Sequence, residues 1–447
     1  MQGEDDTPKG PARLTAPVDI ASLAAFRALF GGVLALAAVR CIVKGWVHTQ
    51  YIQPRFHFAY PHLDFVQPWP GPGMYLHFAA LVLAALGLAL GAHTRLCAFV
   101  VALGFSYVEL LDRATYLNHY YLVCLIAWLL VLLPAGSALS VDALRDPERR
   151  VASIPRWTLL ALRLQVGVVY VFAGVAKLNA DWLLHAEPLR IWLAARSDIP
   201  VLGVWLAQPS VAVAASWLGA VFDLSIVGLL LWRRTRAFGF VAAAIFHGLT
   251  GLLFPIGMFP WIMLACATLF FEPDWPRRLL SRRVPHGREV PRGPTALSRP
   301  SVVTLVALHC AVQVFVPLRS ALVRDSAWTR QGFDFAWKVM VAEKAGYVRF
   351  SARDRRDGRA VPIAIDQYLS ATQERAMAQD PALIRDLARH IARDLRARAG
   401  VDVAVFADAF ATLNGRPAQR QIAPDVDLTR EPLPAHWIVP LSRRPSM

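Results

Sequence analysis

A lysine at the end of an apolar segment is the first residue of this chain whose type and position suggest chemistry. The stretch of residues 163–182 reads RLQVGVVYVFAGVAKLNADW, and the polar members of its apolar part are Gln165 and Lys177. About twenty such residues cross a bilayer as a helix. A lysine inside such a helix is costly and by default marks a functional site. Near the helix end it can instead extend to the lipid headgroups, so this segment alone leaves both interpretations of Lys177 open.

A buried lysine can act as a base. The base must be neutral, and an apolar pocket favours the neutral amine by penalising the ammonium. The Val-, Phe-, Ala- and Gly-rich turn before Lys177 offers such surroundings. A neighbouring asparagine or histidine can hydrogen-bond the anion that the base produces. Asn118 and His119 are the candidates, because the topology derived below places them, like Lys177, at the outer ends of their helices. A histidine at a helix end is more often only structural, and that alternative stays open.

Other polar residues lie in or at the ends of apolar segments, where each is costly. They are Arg27, Glu109, Asp112, Arg163, Asp223 and His247. Structural ion pairs within a helix bundle are the favoured explanation for Arg27, Glu109, Arg163 and Asp223.

Metal chemistry is not expected. The histidines of the loop at residues 44–72, His48, His57 and His62, have neither helical nor zinc-site spacing. The five cysteines fall in or at the ends of apolar segments, without paired ligand spacing.

The composition is that of a polytopic membrane protein. Hydrophobic residues make up 56% of 447 and charged residues 18%, with a mean hydropathy of +0.40, which a soluble globular domain does not need. A net charge of +15 favours nucleic-acid binding in a soluble chain. Here the arginines lie mainly between apolar segments, where they indicate topology. We therefore expect a lipid bilayer, and no nucleic acid, as a partner.

Nine apolar segments predict nine membrane-spanning helices. They lie at about 21–43, 73–91, 96–111, 117–134, 157–177, 211–231, 237–254, 256–271 and 301–317. About fifteen basic residues fall in the even-numbered loops and about five in the odd-numbered loops, so one orientation fits the whole chain. It places the N-terminal tail, residues 1–20, in the cytoplasm, and everything after the ninth helix on the outer side, which is the periplasm of a bacterium.

The composition changes after residue 317. Residues 347–352 (YVRFSA) and 403–406 (VAVF) predict strands, and residues 381–399 (PALIRDLARHIARDLRARA) predict an amphipathic helix. The expected fold is mainly α: a polytopic membrane helix bundle of about eight or nine spans at residues 21–317, followed by a small α+β extracytoplasmic domain at residues 318–447.

Five sequence blocks resemble the vitamin K-dependent gamma-glutamyl carboxylase family, whose membrane part is also called the horizontally transferred transmembrane domain. The blocks are LDRATYLNHYYLVCL, VYVFAGVAKLNADWL, FHGLTGLLFPIGMFPWIMLA with FFEPDWP, WTRQGFDFAWKVMV, and NGRPAQRQIAPDVDL with WIVPL. Their shared order extends through the outer domain, so by this resemblance the chain is identified as a bacterial-type homologue of the family.

The resemblance implies roles for single residues. Lys177 matches the lysine of the family block AGxxKLxADW, the base that deprotonates vitamin K hydroquinone. His119, with its neighbour Asn118, matches the block NHxYL, which is thought to stabilise charge in the same site. The implied quinone-binding residues are Ile256, Gly257, Met258, Phe259 and His247. The implied glutamate contacts are Phe333, Trp337 and Arg420, the last through a bidentate fork to a carboxylate.

The implied activity is carboxylation of glutamate in a peptide or protein. Epoxidation of reduced vitamin K, phylloquinol or menaquinol, by O2 produces a base strong enough to remove the γ-proton of glutamate, and CO2 then adds, with no metal. The protein positions the quinone and excludes water. The family's animal enzymes have two consecutive lysines in this block, whereas Ala176 precedes Lys177 here. An epoxidase or quinol oxidoreductase without glutamate carboxylation is therefore the alternative, and a non-catalytic transporter or scaffold is a third.

Overall fold

The apolar segments of the sequence fold into helices that pack side by side. The computed structural model describes residues 14–280, 300–431 and 436–442, and within these ranges one helix corresponds to each predicted segment. The helices are α1 (Ala21–Val43), α2 (Gly73–Leu90), α3 (Thr94–Leu111), α4 (Asn118–Leu132), α5 (Arg156–Ala176), α6 (Pro209–Leu231), α7 (Arg236–Leu253), α8 (Phe259–Ala267) and α9 (Pro300–Leu318). The predicted polytopic helix bundle is confirmed.

Seven of these helices are long and apolar enough to cross a membrane, among the residues that the structure describes. The two shorter ones are α4, with 15 residues, and α8 with the turn that extends it to Phe270. Several spanning helices in one chain make it an integral membrane protein. Residues 1–13 of the predicted N-terminal tail, and residues 281–299 of the basic loop after α8, lie outside the described residues.

Contacts between loops agree with the prediction that even-numbered and odd-numbered loops lie at opposite ends of the bundle. Before α1, strand β1 (Pro17–Asp19) pairs with β2 (Ser153–Pro155), which follows α4. Asp19 also forms an ion pair of 2.8 Å with Arg277, which follows α8. These even-numbered loops therefore meet at one end of the bundle.

The odd-numbered loops meet the C-terminal domain at the opposite end. Asp112, between α3 and α4, accepts hydrogen bonds from Gln373 Nε2 at 2.7 Å and contacts His57 Nδ1 at 3.2 Å. Asp181, after α5, forms an ion pair of 2.6 Å with Arg416. The C-terminal domain is thus seated on the loops next to the candidate catalytic residues.

The C-terminal domain is a four-stranded antiparallel sheet covered on one face by a helix. Its strand order is β4 (Ala360–Val361), β3 (Lys344–Asp354), β5 (Val403–Leu413) and β6 (Gln419–Arg420). Alternate residues of β5 are buried, as expected for a strand with one face toward a core. The helices are α10 (Ala371–Met377) and α11 (Pro381–Ala399), and α11 contributes Leu383, Ile384, Leu387 and Ile391 to this core. The predicted strands and amphipathic helix are confirmed.

Residues 319–343, here called the connecting segment, join α9 to β3. They form little regular structure apart from short helices at Arg319–Leu322 and Ser326–Thr329. Trp337 of this segment stacks on Tyr121 of α4, with ring centroids 5.0 Å apart, and is 1% exposed. The connecting segment is therefore packed into the end of the bundle that contacts the C-terminal domain.

Candidate active site

Lys177 is buried at the C-terminal end of α5. Its side chain donates to Oδ2 of Asp223 at 2.8 Å and to the carbonyls of Ala173 and Val339, each at 3.3 Å. The amine also lies 5.1 Å from the ring centroid of Trp182. Since Lys177 is 5% exposed, it is an internal polar group and does not extend to the headgroups.

The partner of this lysine is Asp223 of α6, which is also 5% exposed. The sequence predicted a structural ion pair for Asp223 but not that its partner is the candidate base. Desolvation of two charges is offset only by close geometry and further hydrogen bonds, which the two carbonyls on Lys177 supply. The only sequence signal for the pair was that two residues of opposite charge lie in apolar segments.

A glycine lets α5 and α6 approach closely beside this pair. A Cβ at Gly174 would lie 2.8 Å from Cδ2 of Leu224 and 3.1 Å from its backbone nitrogen. Both contacts are too close for a methyl group. Leu224 directly follows Asp223, and Gly174 lies one helical turn before Lys177, so this close packing sets the distance between Lys177 and Asp223.

Trp182 forms the wall beside the lysine. Asn179 Oδ1 accepts from the backbone nitrogen of Trp182 at 3.0 Å and thereby caps the short helix Ala180–Leu183. The Trp182 indole donates to the carbonyl of Ser216 on α6 at 2.7 Å. The residues that follow Lys177 therefore fold back against α6 and shield the amine from water.

A cavity of about 770 Å³ lies between α1, the start of α4 and the turn before α8. Its volume is typical of sites for small organic ligands. The structure brings six of the predicted site residues to its lining: Asn118, His119, Ile256, Gly257, Met258 and Phe259. The rings of His119 and Phe259 are 5.9 Å apart.

The cavity reaches the lipid-facing surface of the bundle. Leu36 of α1 and Trp261 of α8 both line it, and they are 73% and 63% exposed. In an integral membrane protein, apolar side chains exposed on spanning helices face lipid. An apolar ligand can therefore enter this cavity from the bilayer.

The connecting segment lies between the cavity and Lys177. Val339 and Met340 line the cavity, while the carbonyl of Val339 accepts from Lys177 Nζ. Lys177 itself is not among the cavity-lining residues in the described ranges. One backbone unit thus separates the amine from the space in which a ligand would bind.

The connecting segment is held in an unusual backbone conformation. Arg330, Phe335, Trp337 and Met340 have φ values of 62°, 61°, 54° and 53°. Each such conformation costs of the order of 1 kcal/mol for a residue other than glycine, and such strain clusters at ligand-binding and catalytic sites.

Asn118 is linked to this segment through a tyrosine. The backbone nitrogen of Phe335 donates to the Tyr116 hydroxyl at 2.9 Å, and that hydroxyl donates to Asn118 Oδ1 at 3.1 Å. The Phe335 ring also packs on Tyr116, with centroids 4.8 Å apart. The second of these hydrogen bonds occupies the amide oxygen of Asn118, and together they fix its side chain, so that its amide nitrogen remains as a donor at the cavity.

His247 does not line the cavity in the described part of the chain. It is 1% exposed, its Nε2 is 2.7 Å from the Tyr170 hydroxyl, and its ring lies 5.9 Å from that of Phe259. The prediction that His247 contacts a quinone is therefore not supported by this geometry. The residue supports Phe259 from within the bundle.

Arg420 is not at the cavity either. It forms an ion pair of 2.6 Å with Asp408, and its guanidinium lies 4.7 Å from the ring centroid of Phe410. Pairing of β6 with β5 sets Arg420 opposite Phe410, on the face of the sheet that α11 does not cover. The predicted role of Arg420 at a substrate carboxylate is not supported by this position.

Phe333 and Trp337 both belong to the connecting segment. Phe333 is 8% exposed, with the Arg330 guanidinium 4.1 Å and the Lys338 amine 5.6 Å from its ring centroid. Trp337 packs into the bundle and does not line the cavity, in the part of the chain that is described. Phe333 is therefore the predicted glutamate contact that lies among cationic groups.

Sequence reasoning missed Lys344, the first residue of β3. It is 6% exposed and donates to the carbonyl of Trp328. Burial lowers the pKa of Lys344 to about 7, and burial with the neighbouring Arg330 lowers the pKa of Lys338. Among the described residues, Arg330 has an ion partner, Asp334 at 2.9 Å, whereas neither lysine has a carboxylate within 4 Å. In sequence, a lysine at the first position of a strand resembles a surface residue, so no pattern indicated that Lys344 is buried.

No cluster of three or more metal-ligating side chains occurs within the described ranges. The fold and the site define a polytopic helical membrane protein in which a buried lysine–carboxylate pair adjoins a lipid-accessible cavity beneath an α+β domain. The family model described as HTTM domain matches residues 15–275, more than half of the chain, and that of the vitamin K-dependent gamma-carboxylase lumenal domain matches residues 298–444. The chain belongs to the vitamin K-dependent gamma-glutamyl carboxylase family. No solved structure matches it.

Proposed function

We propose that this protein is a vitamin K-dependent gamma-glutamyl carboxylase of the carbon–carbon lyase type. It couples epoxidation of a reduced naphthoquinone by O2 to carboxylation of glutamate with CO2. The observation that carries the proposal is the contact of the buried Lys177 with Asp223 and with the carbonyl of Val339, a residue of the cavity wall. The two family matches support a carboxylase-like function for the chain.

The cavity suits a naphthoquinone with an apolar tail. Ile256 and Phe259 supply apolar walls, Asn118 and His119 supply polar groups at one end, and Leu36 marks the side open to lipid. When bound, the reduced quinone supplies, with O2, the strong base that removes the γ-proton of glutamate, so that CO2 can add to that carbon. The protein residues hold the ligand and exclude water.

Lys177 and Asp223 act as one proton acceptor. Whether the resting pair is an ammonium with a carboxylate or an amine with a carboxylic acid, it holds the same number of protons, and burial favours the uncharged form. Uptake of one proton at Lys177 Nζ leaves an ammonium beside a carboxylic acid. The resulting positive charge stabilises the anion that deprotonation produces, and the donors of Asn118 and His119 add to this stabilisation.

The substrate glutamate lies on the side of the connecting segment that faces the C-terminal domain. Arg330 and Lys338 flank Phe333 there, and Lys344, over the Trp328 ring, is close enough to Arg330 to feel its charge. The two lysines lack carboxylate partners within 4 Å among the described residues. A substrate carboxylate would complete this cationic group. We place this side of the membrane in the periplasm of a bacterium, since the basic loops after α2, α4, α6 and α8 then lie in the cytoplasm.

The test is carboxylation by the full chain in lipid nanodiscs. Reduced menaquinone or phylloquinone, O2, labelled bicarbonate and a glutamyl peptide are supplied, and a glutaminyl peptide serves as the matched control. Label in the glutamyl peptide alone, dependent on the reduced quinone, supports the proposal. Epoxide formation without label identifies the second candidate, an epoxidase or quinol oxidoreductase, which the position of Arg420 away from the cavity lining favours. If neither labelled peptide nor epoxide formed, both candidate functions would be contradicted.

A further inference from the structure

A second, strongly basic cleft of about 870 Å³ lies between the loop at residues 44–72 and helix α11. Five arginines line it: Arg55, Arg113, Arg385, Arg389 and Arg393. The carboxylates among its described lining residues are Asp64 and Asp386. We call this site the arginine cleft.

Most of the positive charge of the arginine cleft is not neutralised. Asp386 is shared by two arginines, with Arg113 Nη1 at 2.9 Å and Arg385 Nη2 at 2.8 Å. The other three arginines have no carboxylate within 4 Å in the described part of the chain. Arg389 donates through Nη2 to the carbonyl of Glu431 at 2.6 Å, while its Nε is buried and has no hydrogen-bond partner there. The cleft therefore offers several donors to an anion.

One wall of the arginine cleft is aromatic and ordered by stacking. The rings of Phe56 and His390 stack with centroids 4.2 Å apart, and Phe58 packs edge-on against Phe56 at 4.8 Å. Burial, and next the charge of Arg393, lower the pKa of His390. A neutral imidazole at pH 7 fits a wall that already faces excess positive charge.

Three neighbouring aromatic side chains connect the arginine cleft with the cavity. Tyr60 lines the cleft and its ring lies 5.9 Å from that of Phe335. Phe335 in turn lies 4.8 Å from Tyr116, which lines the cavity. A chain bound in the cleft is therefore three neighbouring side chains away from the candidate active site, along Tyr60, Phe335 and Tyr116.

We propose that the arginine cleft binds an acidic segment of the substrate chain, adjacent to the glutamate that is modified. Glutamate side chains pair with guanidinium groups through two parallel hydrogen bonds, and a substrate with several glutamates supplies several such pairs. A volume of about 870 Å³ lined by five arginines suits a peptide with several carboxylates more than a single small anion. This inference rests on the proposed function for its choice of substrate, but the binding it describes needs no catalysis.

The test measures binding of a fluorescent peptide with six glutamates to the full chain in zwitterionic nanodiscs, without quinone. In the double variant Arg55→Gln, Arg393→Gln, both residues are cleft arginines without a carboxylate partner in the described ranges. We expect it to bind the peptide about three- to tenfold more weakly, in line with two partly exposed ion pairs, and with a smaller salt dependence. The matched control, Arg356→Gln with Arg396→Gln, removes the same charge from exposed positions outside the cleft, and should bind as the wild type does.

Equal binding by the cleft variant and the wild type would overturn the inference. A difference in binding between the cleft variant and the wild type that occurred only in nanodiscs with anionic lipid would also overturn it. That result would identify the cleft as a binding site for lipid headgroups. The peptide-binding result is independent of the labelled-bicarbonate assay. A chain that binds the peptide but does not carboxylate it would therefore contradict the proposed function and leave the cleft assignment in place.

Discussion

The amine of Lys177 lies 2.8 Å from the carboxylate of Asp223, and both side chains are buried between α5 and α6. Neither group can gain or lose a proton without affecting the other at this distance. The base of the proposed reaction is therefore the pair, and Lys177 is the member that also contacts the cavity wall through Val339.

Replacement of the carboxylate tests the pair as a unit. Asp223→Asn keeps the shape of the side chain but cannot hold the proton of the lysine, so we expect quinone epoxidation to fall about 100-fold, as is usual for loss of acid–base function. The same change leaves the Lys177 charge unpaired in the bundle, which costs about 3–5 kcal/mol. Thermal unfolding in detergent should show this loss.

A double variant separates stability from catalysis at this pair. Lys177→Met with Asp223→Leu removes both charged groups, so thermal stability should recover while epoxidation stays low. If Asp223→Asn alone retained full epoxidation, the carboxylate would have no part in the reaction.

The glycine at the α5–α6 contact gives a second prediction. Gly174→Ala places a methyl group 2.8 Å from the Leu224 side chain, so the helices must separate and the lysine–carboxylate distance must change. We expect a loss of about 1–3 kcal/mol of stability and an epoxidation rate at least tenfold lower. Gly167→Ala on the same helix is the control, because its Cβ would lie 3.6 Å from Val227, an ordinary contact. Equal behaviour of the two variants would argue against this packing role.

A third prediction concerns pH and the cationic group at Phe333. Burial lowers the pKa of Lys344 from 10.5 to about 7, so its ammonium is lost as the pH rises through 7. The KM for a glutamyl peptide should then rise severalfold between pH 6.5 and 8.5. Lys344→Arg keeps its charge throughout, and its KM should stay flat over this range. The same rise in KM for the arginine variant would show that another group is responsible.

The pH dependence of the stability of the C-terminal domain should also reflect the protonation of Lys344. Between pH 7 and about 10, the unfolded chain holds a proton on Lys344 that the folded chain lacks, so stability rises with pH, by at most about 1.4 kcal/mol per unit. Lys344→Met removes this contribution, and its unfolding curve should depend less on pH in that window. An unchanged pH dependence in the Met variant would contradict the burial argument.

Local patterns predicted most of the fold because hydropathy and helical periodicity are local properties. All nine helices, the helix at Pro381–Ala399 and the strands around Phe350 and Val405 were predicted in this way. The seating of the C-terminal domain on the bundle could not be predicted, because it depends on single contacts such as Asp112 with Gln373.

The candidate site was predicted by residue type and resemblance, and only in part. Lys177 and His119 are unusual residues at helix ends, so their types indicated them. The pairing with Asp223 depends on the register of α5 against α6, which no sequence pattern contains. Arg420 lies away from the cavity lining because antiparallel pairing decides which face of the sheet its side chain occupies. His247 lies behind Phe259 because of the rotation of its helix.

The most direct measurement of the central claim is epoxide formation by the purified Lys177→Ala variant, with reduced quinone and O2 and without any peptide. Lys44→Ala is the matched control, since Lys44 also follows the end of a spanning helix but is exposed. We predict that Lys177→Ala forms epoxide at less than about 1% of the wild-type rate, while Lys44→Ala is unchanged. Wild-type epoxidation by Lys177→Ala, in a protein that folds normally, would show that the buried amine is not the base.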